Sequence, residues 1–296
     1  MQHSSRARGA LGAGVVAVLM VATCAVAGAS GTSITGTYNA AAAKLVPAVY
    51  KAALLQVATD ATYPPDESMK GTTMKGFDVD LMKAIAVTLG VHENENNVTF
   101  DSILGGMVAN RYQVGNSSFT DEKSREKQVN FVDYFQAGEG VYAKSSAKVS
   151  FTGFKSFCGT KVSVEQGTAE KDDATAAKKL CTGGKTVTVL EFPTQTAANL
   201  AVSSGQATFG FADSQVAGYI VSSSKGAFKL VGHAVNVAPY GIATEKNAHG
   251  LALAKAIQAA LKVLIANGTY GAILSKWGVT AGGFTASQIV LNGALS

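Results

Sequence analysis

The sequence predicts an α/β protein of two lobes, each a mostly parallel sheet flanked by helices. Strands and amphipathic helices alternate over residues 54–119, and the same alternation starts again at Lys161. Such alternation produces parallel strands because each helix carries the chain back across the sheet. The chain has 296 residues, of which 47% are hydrophobic, and this suits two lobes of roughly 100–150 residues with well-packed cores.

The first lobe begins with an apolar strand over residues 54–59, after which the prolines of Tyr63-Pro64-Pro65 force a loop. A helix is predicted over residues 76–90. Its apolar residues recur at i, i+3, i+4 and i+7, and they are Met82, Ile85, Ala86 and Leu89. Two short strands and a further helix follow, with the strands at 98–100 and 114–119 and the helix at 102–109.

The second lobe repeats this arrangement. Its predicted strands are 162–164, 186–190 and 208–211, and its predicted helices are 168–180, 194–204 and 213–221. The pattern changes near residues 233–240, and two helices close the chain. Their apolar faces are Ile257, Leu261, Leu264 and Ile265 in one helix and Tyr270, Ile273, Leu274 and Trp277 in the other.

Residues 1–23 have the pattern of a secretory signal peptide. Arg6 and Arg8 form a basic start without acids, and a short apolar stretch follows over residues 11–22. A retained membrane span is the alternative, although much of the stretch is Gly and Ala, which partition weakly into hydrocarbon. Residues 24–43 are rich in Gly, Ser, Thr and Ala and are predicted to form a flexible tether.

Cys24 ends the string Val21-Ala22-Thr23-Cys24, which resembles a bacterial lipobox and would make this cysteine a lipidated N-terminus. Thr23 departs from that pattern, and a plain cut after residue 27 or 29 is the alternative. The chain has three cysteines. In an exported protein Cys158 and Cys181 form a natural disulfide pair, which leaves Cys24 over and favours lipidation.

Charge and composition exclude several functions. Loss of residues 1–23 removes Arg6 and Arg8 and lowers the formal net charge from +5 to +3. Without a basic cluster we expect no nucleic acid partner. The four histidines are scattered without a metal-binding pattern, so neither a metal nor a cofactor is expected.

Polar residues follow three predicted strands, at 60–63, 116–120 and 212–214. The turn at Gly167-Thr168 opens a helix, where free N–H groups favour an anion. In open α/β sheets ligands bind outside the carboxyl ends of strands, often where two lobes meet. The sequence therefore predicts a small-molecule cleft between the lobes.

Five ordered segments resemble one known family. They are Gly-Phe-Asp-Val-Asp-Leu at 76–81, the polar run at 117–131, Val-x-Val-x-x-Gly-Thr at 162–168, the strand exit at 211–213, and the closing segment at 267–278. Together they resemble bacterial extracellular solute-binding proteins of family 3, the amino-acid-binding proteins of ABC importers. The cysteine pair and the residue sequence of the polar run are most similar to those of the actinobacterial lipoproteins of that family.

The resemblance implies a two-lobed periplasmic-binding-protein-like fold of type II. Lobe 1 would be discontinuous and comprise residues 44–142 and 235–296. Lobe 2 would comprise residues 143–234. A two-strand hinge would join them near residues 140–144 and 236–240, so that the lobes can close on a ligand.

The resemblance also implies roles for individual residues. Arg125 would bind the α-carboxylate of an amino acid, because a guanidinium fork matches a carboxylate bidentately. Ser118 and the N–H groups near Thr120 would share that carboxylate. Gly167 and Thr168 would contribute from the other lobe, Asp213 would accept the α-ammonium, Tyr63 would pack on the side chain, and Asp60 would reach its polar end.

Two details of the site stay open at this point. Lys123 competes with Arg125 for the carboxylate, because the spacing after Thr120 departs from the commonest family pattern. Asp60, Asp66 and Glu67 are expected near the lip of the pocket, where acids favour a polar or basic amino acid.

The function implied is capture of a free L-amino acid outside the cell and delivery to a membrane permease driven by a separate ATPase. We expect a monomer without catalytic activity, held at the outer face of the cell membrane by lipidated Cys24. Two alternatives are weighed. A cyclohexadienyl-type dehydratase would need a general acid, for which Glu165 and Glu67 are the candidates, and a ligand-sensing domain would need an output module.

Overall fold

The computed structural model describes residues 34–294. Its strands are β1 (Leu54–Thr59), β2 (Thr62–Tyr63), β3 (Glu67–Lys70), β4 (Thr73–Lys75), β5 (His92–Asn97), β6 (Val114–Gly115), β7 (Val129–Lys144), β8 (Lys161–Glu165), β9 (Thr188–Phe192), β10 (Phe209–Asp213), β11 (Phe228–Leu230) and β12 (Val235–Glu245). Its helices are α1 (Ala40–Ala43), α2 (Ala48–Lys51), α3 (Phe77–Leu89), α4 (Phe100–Val108), α5 (Ala169–Ala176), α6 (Gln195–Ser204), α7 (Ser214–Ser223), α8 (Ala248–Ala266) and α9 (Thr269–Trp277).

One mixed sheet runs through both lobes in the order β5-β1-β6-β12-β7-β10-β8-β9, and β11 pairs with β7. The outer strands are parallel in each lobe: β5, β1 and β6 on one side, and β10, β8 and β9 on the other. The two central strands, β7 and β12, are antiparallel. The predicted α/β fold with two lobes is confirmed.

Strands β7 and β12 connect the lobes. They pair from Glu245 opposite Val129 to Val235 opposite Glu139, with irregularities in register along the way. Beyond that pairing, β7 continues into lobe 2, where β10 and β11 pair with it. The predicted hinge segments lie on these two strands, and the predicted lobe boundaries fall near the end of β7 and the start of β12.

The core of lobe 1 lies on both faces of its sheet. Helices α3, α8 and α9 share one apolar cluster, in which Phe77, Met82 and Leu261 are fully buried. Helix α4 covers the opposite face. By length and composition alone α8 could cross a membrane, but its apolar residues lie in this core, as expected for the central helix of a packed lobe.

Helix α3 confirms the prediction made from its apolar spacing. It ends at Gly90, which has a left-handed φ of 66° and whose N–H bonds back to the last turn. Gly76, just before the helix, has a φ of 158°, and a Cβ there would lie 1.7 Å from the Asp66 carbonyl oxygen. The start of the helix therefore packs directly on the chain that follows β2.

Three predictions for lobe 1 are wrong in detail. The strand predicted at 98–100 is not found there. The strand in this part of the chain is β5, which ends at Asn97, and Phe100 begins α4. β5 reads His-Glu-Asn-Glu-Asn-Asn and is an edge strand whose side chains are mostly exposed or half-buried, so it carries no apolar pattern. β6 is two residues long, and the expected proline loop contains the small β2-β3-β4 sheet.

The last part of the predicted tether is packed structure. Helix α1 places Ala42 and Ala43 in buried positions, with Ala42 in the core of lobe 1. The packed part of the chain therefore begins before the boundary predicted at residue 44. Residues 1–23 and Cys24 lie outside the described residues.

Lobe 2 contains the predicted disulfide. Cys158 and Cys181 are bonded and lie 23 positions apart in the sequence. The bond joins the turn before β8 to the end of the helical segment that α5 begins. Beside it lies an aromatic cluster in which Phe157 packs on Phe209 and Phe211.

Replacing both cysteines by Ser should lower the free energy of unfolding by about 3 kcal/mol, because the bond restricts a loop of this length in the unfolded chain. Urea unfolding followed by circular dichroism measures the change. The unmodified protein in reducing agent should match the double variant. Equal stability of the oxidised protein and the variant would contradict the prediction.

Candidate ligand-binding cleft

A small cavity lies where the two lobes meet. Its lining residues come from both lobes and are Tyr63, Phe100, Ser117, Ser118, Thr120, Arg125, Thr168, Ala169, Glu170 and Asp213. Six of the eight residues predicted for the site line it. The other two, Asp60 and Gly167, lie directly beside it. The cavity volume is about 10 Å³, close to that needed for one water molecule, so the lobes are closed on each other.

Arg125 lies at the start of a short 3₁₀ turn and is buried. Its Nη1 donates to the carbonyl oxygen of Thr120 at 2.8 Å, and its Nη2 donates to that of Gly167, in lobe 2, at 2.9 Å. Nε pairs with Glu122 at 3.1 Å. The guanidinium is therefore held in one orientation by contacts on both sides of the cleft.

Two aromatic rings complete the environment of this guanidinium. Phe100 and Phe119 lie 5.6 and 5.7 Å from it, within the range of cation–π attraction. Lys123, the alternative cation, has a side chain that is 56% exposed and paired with Glu126 at 3.1 Å. Lys123 does not line the small cavity. Of the two predicted candidates, the structure brings Arg125 to the cleft.

Ser118 lies just after β6, where the chain turns sharply. Its φ is 48°, a left-handed conformation that is uncommon for residues other than glycine. Its N–H donates to Asp78 Oδ2 at 2.9 Å, and its hydroxyl donates to Asp66 Oδ2 at 2.9 Å. The hydroxyl predicted to share a ligand carboxylate thus donates to a buried carboxyl group in this structure.

Asp66 and Glu67 are not at the lip of the pocket, which corrects the expectation for these two acids. Both are fully buried beneath the cleft, with Glu67 accepting from Ser117 Oγ at 2.7 Å. Burial and the neighbouring Asp78 raise the pKa of both carboxyls well above the ordinary range. Their position in a proline-rich loop indicates exposure, whereas the small β2-β3-β4 sheet turns these side chains inward.

Asp78 anchors this buried acidic group. Burial raises its pKa to about 6, and the hydrogen bond from Tyr134 opposes that rise. The Tyr134 hydroxyl donates to Asp78 Oδ1 at 2.6 Å, and both residues are fully buried. Through the N–H of Ser118, Asp78 fixes the turn that forms one wall of the cleft.

Asp213 ends β10 at the base of the cleft, at the N-cap position of α7. Its side chain does not cap that helix and instead faces Glu170 and Tyr240. Burial and the charge of Glu170 raise the pKa of Asp213 well above its usual range. Burial also raises the pKa of Glu170, against the attraction of Arg125. The two carboxyls therefore form one acidic site at the base of the cleft.

Sequence reasoning missed Glu170 as a member of the site. It lies in the first turn of α5, two residues after Thr168. The sequence signal that could have identified it is its position just after the Gly167-Thr168 turn, which was already assigned to ligand contact. In a helix's first turn an acid is usually explained by the helix dipole alone. Only the fold reveals that this turn faces Asp213.

Asp60 follows β1 and lies beside the cavity in lobe 1. Its Oδ2 accepts from the N–H of Phe100 at 2.9 Å, and its own N–H donates to Ser117 Oγ at 2.9 Å. Burial raises the pKa of Asp60, with hydrogen bonds opposing the shift. Tyr63, predicted to pack on the ligand side chain, is buried and in this structure lies against the Phe100 ring, with 6.1 Å between the ring centroids.

Further contacts between the lobes hold the closed form. Gln215 in lobe 2 donates through Nε2 to Asp66 Oδ2 in lobe 1 at 2.8 Å. The N–H of Gln195, also in lobe 2, donates to Thr62 Oγ1 at 3.2 Å. These bonds can form only when the lobes meet, so they contribute to closure and must break on opening.

Two α/β lobes joined by a pair of long strands and closed over a charged cavity define a two-lobed binding protein. The sequence of this chain matches the model of the bacterial extracellular solute-binding proteins, family 3, over residues 55–280. The chain belongs to that family.

Relatives and solved structures agree with the fold. The arginine-binding protein ArgT of Corynebacterium glutamicum is 29% identical over 243 residues, which is 80% of this chain and 79% of that protein. The ABC transporter glutamine-binding protein GlnH of Bacillus subtilis is 29% identical over 210 residues, or 69% and 72% of the two chains. The structure of an ancestral arginine-binding protein bound to arginine matches with a TM-score of 0.70 and 31% identity, over 76% of this chain and 97% of that one.

These relatives are named as amino-acid-binding proteins, GlnH as that of an ABC transporter, and not as enzymes, and the prediction of a non-catalytic protein is confirmed. One further structure, an ancestral amino-acid-binding protein described as a precursor of cyclohexadienyl dehydratase, matches with a TM-score of 0.67 and 28% identity, over 76% of this chain and 95% of that one. Of the two acids considered for a dehydratase, Glu67 is bound to Ser117 beneath the cleft rather than in it.

Tyr134→Phe should lower the free energy of unfolding by about 1–3 kcal/mol at pH 8, because it leaves Asp78 Oδ1 buried without its donor. Losing this donor raises the folded-state pKa of Asp78 further, and a raised pKa costs stability as the pH rises. The loss should therefore be smaller at pH 5 than at pH 8. Urea unfolding at both pH values measures it. Tyr219→Phe, at a partly exposed tyrosine, is the matched control, and equal effects of the two variants would contradict the prediction.

Proposed function

We propose that this protein is the extracytoplasmic substrate-binding component of an amino-acid ABC importer. It captures a free L-amino acid between its lobes and delivers it to a membrane permease that a separate ATPase drives. The observation that carries the proposal is the pairing of a fixed guanidinium, Arg125, with the acidic site formed by Asp213 and Glu170 in one cavity.

This arrangement is complementary to a zwitterion. An amino acid presents a carboxylate and an ammonium group on adjacent atoms, and the cavity offers a cation and an anion with oriented dipoles between them. The α-carboxylate binds to Arg125 and to N–H groups near Thr120 and Thr168, while the α-ammonium binds to Asp213. Hydrogen bonds to charged groups contribute ~1.5–3 kcal/mol each when they are shielded from water.

Closure couples binding to transport. Arg125 donates to Gly167 across the cleft, so the residue that holds the ligand carboxylate also joins the lobes. A ligand that contacts both lobes stabilises the closed form relative to the open one, because those contacts exist only when the lobes meet. The closed, loaded form is the one that docks on the permease. A polar or basic side chain is favoured, since Asp60 lies beside the cavity next to Tyr63.

The same proposal includes export and anchoring. Residues 1–23 act as the signal peptide, and lipidated Cys24 holds the protein, as a monomer, at the outer face of the cell membrane. The lipobox-like string before Cys24 and the use of both other cysteines in a disulfide support this assignment. Metabolic labelling with a radioactive fatty acid tests it: unlabelled mature protein would exclude the anchor.

Arg125→Met should weaken amino-acid binding by at least 100-fold, because it removes the charged, bidentate partner of the α-carboxylate. Lys123→Met is the matched control and should change the dissociation constant less than twofold, since that side chain lies outside the cavity. Isothermal titration calorimetry with the amino acid that binds the unmodified protein most tightly measures both.

Two results would contradict the assignment. Tight binding by Arg125→Met would remove Arg125 from the carboxylate site. A large loss in Lys123→Met with none in Arg125→Met would transfer the role to Lys123. Near-ultraviolet circular dichroism of each variant establishes that the packing of the lobes is retained.

A further inference from the structure

Glu165 is the last residue of β8 and points a buried carboxyl group toward the other lobe. It is 1% exposed, and neither of its carboxyl oxygens has a hydrogen-bond partner among the described residues. Burying a carboxyl group without a partner is costly, and such groups are rare in folded proteins unless something completes them. The ligand-binding roles predicted for the other site residues give the Glu165 carboxyl group no such partner.

The groups facing Glu165 come from lobe 1 and are equally incomplete. Asp60 and Tyr63 lie against it across the cleft. Asp60 Oδ1 and the Tyr63 hydroxyl are buried, and neither has a partner within the described part of the chain. Asp60 is held in place through its other oxygen by the N–H of Phe100. Three elements thus direct unpartnered oxygen atoms to one place.

We propose that Glu165 is a specificity-determining residue that forms, with Asp60, a carboxyl pair contributed by both lobes and selects amino acids with a cationic side chain. The inference rests on the proposed function, since it assigns the ligand class of the same cleft. Arginine, lysine and ornithine carry the required distal cation on an unbranched apolar stem. Glutamine and citrulline have polar but uncharged ends.

The walls between the two ends of the cleft suit such a stem. Phe100 lies 5.6 Å from the Arg125 guanidinium, and its own N–H binds Asp60. Its ring and that of Tyr63 are tilted by 51° at 6.1 Å. These aromatic faces therefore separate the carboxylate-binding end from the Asp60–Glu165 pair. Methylene groups can pack on them while a terminal cation reaches the carboxyls.

Electrostatics explains why the distal group must be charged. Burial first, then the adjacent Asp60, raises the pKa of Glu165 to about 10 in the closed form. The ionisable groups that act on it are Asp60, Tyr63 and Glu170, which are all acidic or phenolic. Closing over a neutral side chain therefore requires the pair to take up a proton, whereas a cationic side chain replaces that proton.

The test compares L-arginine with L-citrulline, which has nearly the same shape without the charge. In the unmodified protein calorimetry should give a dissociation constant for arginine at least 100-fold below that for citrulline. Glu165→Gln keeps the size of the side chain and should weaken arginine binding at least tenfold at pH 7 without weakening citrulline binding. Glu191→Gln, at an exposed acid of β9, is the matched control and should alter neither.

A pH series separates this role from a structural one. The arginine-to-citrulline affinity ratio should rise from pH 6 to pH 8, by up to tenfold per unit, because only citrulline binding requires proton uptake at the pair. Titration of Asp213, Glu170 and the ligand α-ammonium affects both ligands and cancels in the ratio. In Glu165→Gln the slope should fall to less than half.

Several outcomes would overturn the inference. Equal losses for arginine and citrulline in Glu165→Gln would show that the residue supports the fold rather than selects the ligand. If Glu165→Gln does not fold, Asp60→Asn must give the same selective loss, or the inference fails. Tight binding of only neutral or acidic amino acids would overturn it while leaving the proposed function intact, whereas binding of no amino acid would overturn both.

Discussion

The closed structure depends on a balance of charge at the meeting of the lobes. Asp60, Glu165, Glu170 and Asp213 are buried around the cleft, and Arg125 is the basic residue of its lining. Buried carboxyls of this kind either retain protons or require a cation. The closed form is therefore costly by itself, and a ligand that brings positive charge relieves that cost. This makes closure conditional on the right ligand.

The fold produces this balance through strand ends. Asp60, Glu165 and Asp213 each come at or just after the carboxyl end of a strand, in β1, β8 and β10. Because the sheet runs through both lobes, these ends meet at the cleft. Arg125 reaches the same place from a short turn and is held there by carbonyl oxygens of both lobes. The buried group around Asp78 then fixes the Ser118 wall from below.

Much of this arrangement could be predicted from the sequence. Apolar spacing identified α3, α8 and α9, and polar residues at strand exits identified the cleft together with Asp60, Thr120 and Asp213. β5 was missed because an exposed edge strand needs no apolar residues. Glu165 and Glu170 were missed as ligand contacts because pairing between lobes depends on closure, which no local pattern records. The sequence predicted Asp66 and Glu67 at the lip of the pocket, because the neighbouring prolines indicate a loop. The small β2-β3-β4 sheet that buries these two acids has no comparable sequence pattern.

The most direct test of this account is a thermal-shift screen of the purified protein against the twenty common L-amino acids and L-ornithine. A ligand at 100 times its dissociation constant stabilises the folded protein by about 2.7 kcal/mol and raises its melting temperature. The account predicts that the largest rise comes from an amino acid with a cationic side chain. No rise with any amino acid, or the largest rise with a neutral or acidic one, would contradict it.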